Sequence, residues 1–567
     1  MRNTEKYGRF SSCRGVAFEI KPHADLFAIP DRDRPTNQSR NSSSRRSWAQ
    51  WRSSFARIIP SSDLIERSLS RESSHFCDLD DDEDGDEDGD VETLADIEES
   101  HEEGKSDQTP PHHLLPQPFT RSDHHPPPQS AAKKKPPSSR LSVILLDQGL
   151  FTVYKRLFAL CLALNLTALV LAATGKFPYA ADRPALFSIA NIFALVLCRS
   201  EAVLRVVFWL AVTALGHPWI PLRLKTMTTA LLQSLGGIHS GCGISSAAWL
   251  IYALVLTLKH RDTTSSEIIA VASVILGLLC LTSTAAFPLV RHLHHNFFER
   301  THRFAGWAAL ALLWAFVTLN ATYNPSTKNY SKIENSDLTA IPEFWLTTGI
   351  TVLIIIPWLT MRRVPVRVTS PSGHAAIIKF QGGVEAGILG RISPSPLSEW
   401  HAFGIISDNK KEHMMLAGAV GDFTRSLVSS PPRWLWVRGV RFAGLPYLTN
   451  MYGRVLLVAT GSGICVFLSF LLQPCKAEVC LLWVTKGVEV NFGREIKEWV
   501  SGQPKERVIV HDTAVLGRPN VAEMSVDAAK RFGAEVVIVT SNPEGSRDVV
   551  DACKANGIAA FGPIWDS

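Results

Sequence analysis

The chain has 567 residues and a formal net charge of +5, and this length suffices for several structural units. Its ten cysteines are scattered without paired spacing, so they indicate neither a disulfide framework nor a zinc site. The mean hydropathy of +0.07 averages a polar N-terminal region and a strongly apolar middle. No signal-peptide pattern opens the sequence, and no nucleic-acid partner is expected.

Residues 1–145 are predicted to form a disordered cytosolic tail. They are rich in Ser, Arg, Pro and Asp and cannot bury enough apolar area to offset the entropy lost on ordering. The run 78–104 contains 16 acidic residues and no Lys or Arg. Such a run is usually a solvated segment and less often a docking segment for protein partners. The proline-rich stretch 110–137 is typical of an extended linker, with a basic end near anionic lipid.

Residues 150–361 are predicted to form a membrane domain of six helices, with lipid as a partner. With six spans the basic clusters between them face the cytosol, as the positive-inside rule requires. Both termini are then cytosolic, and the glycosylation sequons at Asn320 and Asn329 face outward. We therefore expect an integral, multi-pass protein of the plasma membrane or an endomembrane. A span needs roughly 20 apolar residues, and the six candidates are 157–174, 185–207, 236–258, 267–290, 304–321 and 341–360.

A reductase signature follows the apolar block. The apolar run 455–459 leads into Gly461-Ser462-Gly463 and then an apolar helix. Glycines let a backbone approach a pyrophosphate at a helix N-terminus. Together with the segments 399–406, 421–427 and 517–520, this turn resembles the ferredoxin-reductase-type domains of NADPH oxidases and ferric reductases. The resemblance implies a β-barrel FAD domain at 362–448 and an α/β Rossmann-like NAD(P) domain at 449–567.

The same resemblance implies where a flavin would bind. The ring of FAD would lie along His401 and Phe403, although Phe403 is equally typical of a barrel core. Its pyrophosphate would lie at Gly421 and Thr424. Where related reductases usually have a hydroxyl residue near the flavin, this chain has Gly404.

A nicotinamide nucleotide would bind on the other side of the flavin. Ser541 stands where related reductases generally have a Cys, and Trp565 would cover the flavin face until nicotinamide displaces it, so these two residues are the catalytic candidates. The departures from the family leave NAD(P)H binding expected, fast hydride transfer open and the electron acceptor unknown. The implied nucleotide contacts are Gly461, Gly463, Asn542, Pro543 and, for a 2′-phosphate, Arg518.

Haem is not expected. In ferric reductases and NADPH oxidases, two histidine pairs on the third and fifth spans hold two haems. Here those spans carry His239 and His302 alone, because the later positions are Tyr252 or Ala253 and Ala315 or Phe316. One inner haem on His239 and His302 is an alternative, but a hydrogen bond between close-packed helices explains His239 more simply. No other metal site is predicted.

Further fragments resemble fungal integral membrane flavoproteins of the TmpA and TmpL type. These are 236–243, 298–303 and 561–567. TmpL-type members add an N-terminal adenylate-forming domain, which this sequence does not contain, so the resemblance is nearer to TmpA. It implies an FAD-dependent NAD(P)H oxidoreductase linked to redox homeostasis and asexual development (conidiation). Two alternatives stay open: a non-enzymatic flavin- or nucleotide-binding membrane sensor, and a transmembrane electron carrier like the ferric reductases.

Overall fold

The computed structural model describes residues 9–11, 17–19, 152–287, 290–291, 294–331 and 335–563. Arg9–Ser11 (β1) pairs antiparallel with Ala17–Glu19 (β2). The acidic run 78–104, the linker 110–137 and Trp565 lie outside the described residues. The helical bundle and the sheets that carry the predicted sites all lie within residues 152–563.

The first part of this region is a helical bundle. Five of its helices are long and apolar enough to cross a membrane, by length and composition alone. Its helices are Val153–Ala173 (α1), Pro178–Asp182 (α2), Pro184–Leu197 (α3), Glu201–Leu215 (α4), Leu222–Gln233 (α5), Leu235–Lys259 (α6), Ser266–Ala285 (α7), His295–Thr322 (α8), Asn335–Ala340 (α9) and Pro342–Leu359 (α10). A hairpin of Tyr323–Asn324 (β3) and Asn329–Tyr330 (β4) follows α8.

The expected second span, 185–207, is not one helix. It divides at 198–200 into α3, which has 14 residues, and α4. The charged residues around this point interrupt the apolar run. In addition, α4 carries apolar side chains at helical spacing, and its Phe208 and Val212 are buried in the same core as the strands that follow the bundle. Burying such side chains contributes about 2 kcal/mol each, so α4 packs onto the C-terminal half.

Small residues let α6 approach α1 closely. A Cβ added at Gly237 would lie 2.3 Å from the Tyr154 carbonyl oxygen, and one at Gly241 would lie 2.9 Å from the Cys161 Cβ. Close contact through small residues is how helices associate where water gives no driving force. One polar cluster inside the bundle is paired, since Asn165 Oδ1 accepts hydrogen bonds from Trp249 Nε1 at 3.0 Å and Asn191 Nδ2 at 2.8 Å.

Two antiparallel sheets follow the bundle. One has the order β10-β11-β7-β6, and the other has the order β13-β8-β12-β5 with β9 also on β8. Their apolar side chains form a shared core, in which Ile378, Ile392 and Leu416 are almost fully buried. The strands are Met361–Pro365 (β5), Arg367–Ser372 (β6), Ala375–Gln381 (β7), Ile388–Ser393 (β8), His401–Gly404 (β9), Ile406–Ser407 (β10), Glu412–Gly418 (β11), Trp434–Arg438 (β12) and Phe442–Ala443 (β13), with the helix Asp422–Ser429 (α11) after β11.

The C-terminal part is a doubly wound parallel sheet of order β16-β15-β14-β17-β18. Continuous apolar strands with helices on both faces are typical of such sheets. The strand order reverses between β14 and β17, which creates a crevice at their carboxyl ends. The elements are Arg454–Thr460 (β14), Ser469–Leu472 (α12), Glu478–Thr485 (β15), Val488–Ser501 (α13), Val508–Asp512 (β16), Thr513–Leu516 (α14), Val521–Phe532 (α15), Val536–Thr540 (β17), Pro543–Ala555 (α16) and Ala559–Phe561 (β18).

Candidate functional site at the junction of the two sheets and the bundle

The predicted nucleotide loops meet at the strand-order reversal. Thr460 ends β14 and Ser541 follows β17, and their hydroxyl oxygens are 2.8 Å apart. The Ser541 backbone is also held, because its N–H donates to the Ser546 hydroxyl at 3.2 Å and its carbonyl accepts from the same hydroxyl at 3.0 Å. Ser541 is 3% exposed. Its side chain therefore joins the two strand ends and is not presented to a ligand as a free catalytic group.

The glycine turn faces the antiparallel sheets rather than open solvent. Gly461 has φ +48°, a left-handed conformation that favours glycine, and its carbonyl accepts a hydrogen bond from Trp483 Nε1 at 2.9 Å. A Cβ added at Gly418, the last residue of β11, would lie 3.0 Å from the Ser462 hydroxyl. Gly461 and Gly463 are both buried within the short 3-10 helix 461–466, so the turn packs against β11.

The second nucleotide loop begins α16. The Asn542 side chain caps this helix by accepting the Gly545 N–H at 2.8 Å, and Pro543 occupies the first helical position, where a missing N–H costs nothing. The start of α16 thus stands directly beside Ser541 at the crevice. A helix N-terminus at the carboxyl edge of a parallel sheet is a suitable place for an anionic group.

Asp512 is a structural carboxylate that the sequence analysis did not identify. Its carboxylate accepts N–H groups from Gly487 at 2.8 Å, Val488 at 3.3 Å and Ala514 at 3.0 Å. Partial burial pushes the pKa of Asp512 up, but these N–H groups outweigh it and hold the pKa below its usual value. The start of α13 is therefore already occupied by an anion of the chain itself. Arg518 is exposed in the loop after α14.

The predicted flavin strand, β9, is covered by other parts of the chain. The His401 ring stacks on Phe423, with centroids 4.5 Å apart and an interplanar angle of 8°. Phe403 is 1% exposed and belongs to the core, which was the alternative to a flavin contact that the sequence analysis left open for it. A Cβ added at Gly404 would lie 2.8 Å from the Val466 backbone nitrogen. A flavin ring does not fit between Gly404 and Val466 while this contact is closed.

Thr424 holds the start of α11. Its hydroxyl accepts the Gly421 N–H at 3.0 Å and donates to the Gly421 carbonyl at 3.1 Å. Thr424 is fully buried, so its hydroxyl serves as a cap and is not directed to a pyrophosphate. At this start Gly421 is half-buried and Asp422 is exposed, and a helix N-terminus of this kind suits an anion.

The two histidines considered for haem lie close together in the bundle. Their ring centroids are 6.3 Å apart at an interplanar angle of 51°. The His239 Nδ1 lies 3.0 Å from the Leu195 carbonyl oxygen and donates to it, which matches the helix-to-helix hydrogen bond expected for His239. Within the described residues, no group of three or more His, Cys, Asp or Glu side chains could hold a metal ion. The absence of haem stays a prediction.

Charged residues join the bundle to the antiparallel sheets. Glu201, at the start of α4, is 7% exposed and accepts hydrogen bonds from Arg391 Nε and from Arg438 Nη1, the latter at 3.3 Å. Arg205 pairs with Glu385 at 3.0 Å. The sequence offered one signal for this junction, namely the charges that interrupt the apolar run 185–207, but their partners lie about 180 residues or more away along the chain.

Comparisons with known proteins place the chain beside fungal reductases. A model of the family "Adenylate-forming reductase 03009, C-terminal domain" matches residues 445–567. Adenylate-forming reductase 06235 of Coprinopsis cinerea is 34% identical over 436 residues, which are 74% of this chain and 41% of that protein. Adenylate-forming reductase 03009 of the same fungus is 34% identical over 435 residues, with the same coverage. The chain thus spans about two fifths of the length of these relatives.

Two of the similar solved structures are ferredoxin-type or dioxygenase reductases by name. The match to phthalate dioxygenase reductase covers 36% of this chain and 69% of that protein's chain, at 13% identity and a TM-score of 0.30. The match to ferredoxin-NADP+ reductase of Plasmodium falciparum covers 36% of this chain and 95% of that protein's chain, at 9% identity and a TM-score of 0.29. The relatives found by sequence are reductases by name, and the likeness to the TmpA and TmpL type stays a prediction.

Proposed function

We propose that the chain is a membrane-anchored NAD(P)H-dependent oxidoreductase with its nucleotide site at the end of β14 and β17. The observation that carries this proposal is the crevice at the strand-order reversal, where Thr460 and Ser541 meet beside the capped start of α16. Ligands of doubly wound sheets bind at such a crevice. The reductase names of the relatives support the reaction class.

FAD is the proposed cofactor of the antiparallel sheets. When bound, a flavin accepts hydride from reduced nicotinamide. The chain's own contribution on this side is the start of α11, which is preorganised by Gly421 and Thr424. The contact between Gly404 and Val466 must open before a ring can lie at the predicted edge of β9.

Membrane anchoring is proposed for the helical bundle. Large apolar side chains such as Leu160, Leu164 and Val170 of α1 are more than half exposed. A contiguous apolar surface of this kind is costly in water and is satisfied by lipid. On the opposite face of α4 from the reductase core, Val206, Trp209 and Leu210 are also about half exposed, which suits a helix lying in the membrane interface.

The biological setting rests on the resemblance to TmpA-type flavoproteins. The proposed process is redox homeostasis or conidiation signalling. Both termini are proposed to lie in the cytosol, and the identity of the electron acceptor is unknown. A second candidate function is a non-enzymatic membrane sensor that binds nucleotide without turnover. Two observations favour this candidate: the closed contact at Gly404 and the fully engaged hydroxyl of Ser541.

Two asparagines at opposite ends of α16 allow a matched test. Asn542 begins the helix at the crevice, and Asn556 ends it, where its side chain donates to the Ala552 carbonyl at 2.9 Å. Each Asn→Ala change removes a local hydrogen bond worth about 1 kcal/mol. We expect Asn542→Ala to weaken NAD(P)H binding and to slow its oxidation by ferricyanide, while Asn556→Ala leaves both unchanged. Equal effects of the two variants would remove the crevice as the nucleotide site, and binding without oxidation in the unaltered protein would favour the sensor.

A further inference from the structure

A cavity of about 340 Å³ lies where the helical bundle meets the antiparallel sheet that contains β8 and β13 and the parallel sheet. It is bounded by the connection between α3 and α4, by α4, by the start of α6, and by residues of these two sheets. Most of its lining is apolar, including Leu204, Phe208, Leu232 and Leu389. Its volume falls within the range of small-ligand sites, roughly 300–1,000 Å³.

Arg199 is the one charged side chain among the described residues that line this cavity. It is exposed, and no hydrogen bond or ion pair holds its guanidinium within the described part of the chain. Its charged neighbours include Arg291 and Arg391, which are also cations. The cavity therefore combines an apolar lining with a positive charge that its own lining does not neutralise.

The nearby carboxylates are already engaged. Glu201 pairs with Arg391 and Arg438, and Glu385 pairs with Arg205. The Arg199 guanidinium is exposed, and within the described lining it is the charged group with which an anion entering the apolar space can pair. A ligand that brings a negative head and an apolar body would satisfy both parts of the cavity at once.

We propose that this cavity binds an anionic amphiphile, with a carboxylate or phosphate head paired to Arg199 and an apolar chain between α4 and the antiparallel sheets. The location suits such a ligand. Leu235 and Gly236, which begin the long apolar helix α6, line the cavity, so a molecule from the adjoining leaflet of a membrane reaches it along the bundle. Val466 and Thr540 also line it, so the bound chain contacts residues next to Gly404 and Ser541. Because Thr540 is the last residue of β17, the cavity adjoins the proposed nucleotide crevice. The approach from a leaflet rests on the membrane anchoring proposed above.

Equilibrium binding of three ligands with the same apolar chain tests the proposal. The full chain in a nonionic detergent is titrated with dodecanoate, dodecyl phosphate and dodecanol. We expect at least one anionic ligand to bind about tenfold or more tightly than the neutral alcohol, since one such ion pair contributes about 1.4 kcal/mol or more. The comparison of dodecanoate with dodecyl phosphate distinguishes a fatty acid from a phospholipid head.

Variants separate the charge from the cavity. Arg199→Gln should reduce binding of the anionic ligands about tenfold and leave dodecanol unchanged, whereas Arg199→Lys should retain most of the preference for anions. Leu204→Trp, which fills the cavity, should abolish binding of all three. Arg261→Gln is the control, because Arg261 follows the far end of α6, and it should change nothing.

Three results would overturn the proposal. The first is equal binding of dodecanol and both anions, and the second is unchanged binding of the anions by Arg199→Gln. The third is a stoichiometric FAD that Leu204→Trp releases and dodecanoate does not displace, which would assign the cavity to the flavin ring. Loss of amphiphile binding with continued NAD(P)H oxidation would leave the proposed function intact.

Discussion

The imidazole of His413 shows how strongly a single buried group depends on the fold. The ring stacks on Phe380 with centroids 5.1 Å apart at 10°, and its Nδ1 donates to the Gly382 carbonyl. Burial lowers the pKa of His413 to about 4, with further lowering from Arg441 and Arg362, against an opposing contribution from the Gly382 hydrogen bond. The neutral ring is therefore part of the native structure, and protonation works against folding.

His413 predicts a loss of stability in mild acid. The unfolded chain takes up this proton near pH 6.5 and the folded chain only near pH 4, so stability is full above about 6.5 and falls as the pH drops through this window. The effect is on the order of 3 kcal/mol. Thermal unfolding of the full chain in detergent across this range checks it. His413→Gln should reduce the slope of this curve, whereas His374→Gln, at an exposed position of the β6–β7 hairpin, should preserve it. A slope that His413→Gln leaves unchanged would contradict the assignment.

At the scale of elements, Glu201 couples the bundle to the antiparallel sheets. Its carboxylate is buried and faces two guanidinium groups, those of Arg391 and Arg438. Arg438 is 19% exposed and Arg391 33% exposed at the side chain, so neither is fully screened by water. Removing the carboxylate leaves two partly buried cations without their anion, which costs more than the pair itself contributes.

Glu201→Gln should therefore lower the free energy of unfolding by about 2 kcal/mol, discounted for the partial exposure of both arginines. The measurement is the midpoint of thermal unfolding, compared with Glu506→Gln at an exposed loop position before β16. The control should change the midpoint little. Equal shifts in the two variants would show that the junction does not depend on this charge.

The limits of prediction from sequence are also clearest for elements. The apolar run 455–459 predicted a buried strand, and the structure has β14 there, because a strand's pattern is local. The break within 185–207 was not predicted. It depends on the packing of α4 against a core whose strands lie about 180 residues further along the chain. The closed contact of Gly404 with Val466 was missed for the same reason. Resemblance to a family identifies the motif residues in the sequence, but it does not predict the tertiary contacts that bury them.

At the scale of the whole molecule, the proposed function makes the bundle and the reductase half one membrane-anchored unit, in which the apolar surface of the bundle faces lipid. The hairpin of β3 and β4 follows α8, and Asn329 is exposed in it. Asn320 lies within the last turn of α8. The C-terminal half, residues 361–567, begins at Met361, directly after α10. The proposed topology places this hairpin outside and the reductase half in the cytosol.

Glycosylation and protease access test this topology. We expect Asn329→Gln to abolish a glycan-dependent shift in electrophoretic mobility, because Asn329 is in an exposed hairpin, and Asn320→Gln to leave it in place. In sealed vesicles with the cytosolic face outward, an added protease should remove residues 361–567. Protection of the C-terminal half in these vesicles would refute the proposed cytosolic position of residues 361–567.

The central claim is that a pyridine nucleotide delivers electrons to this chain, and an anaerobic absorbance spectrum before and after addition of NADPH tests it most directly. We predict flavin absorbance that bleaches on addition of NADPH or NADH, because the flavin carries the redox chemistry. We expect no b-type bands of a haem held by His239 and His302. Strong b-type bands lost on His239→Ala would contradict the predicted absence of haem. A protein without flavin that leaves NADPH and NADH unoxidised would contradict the central claim.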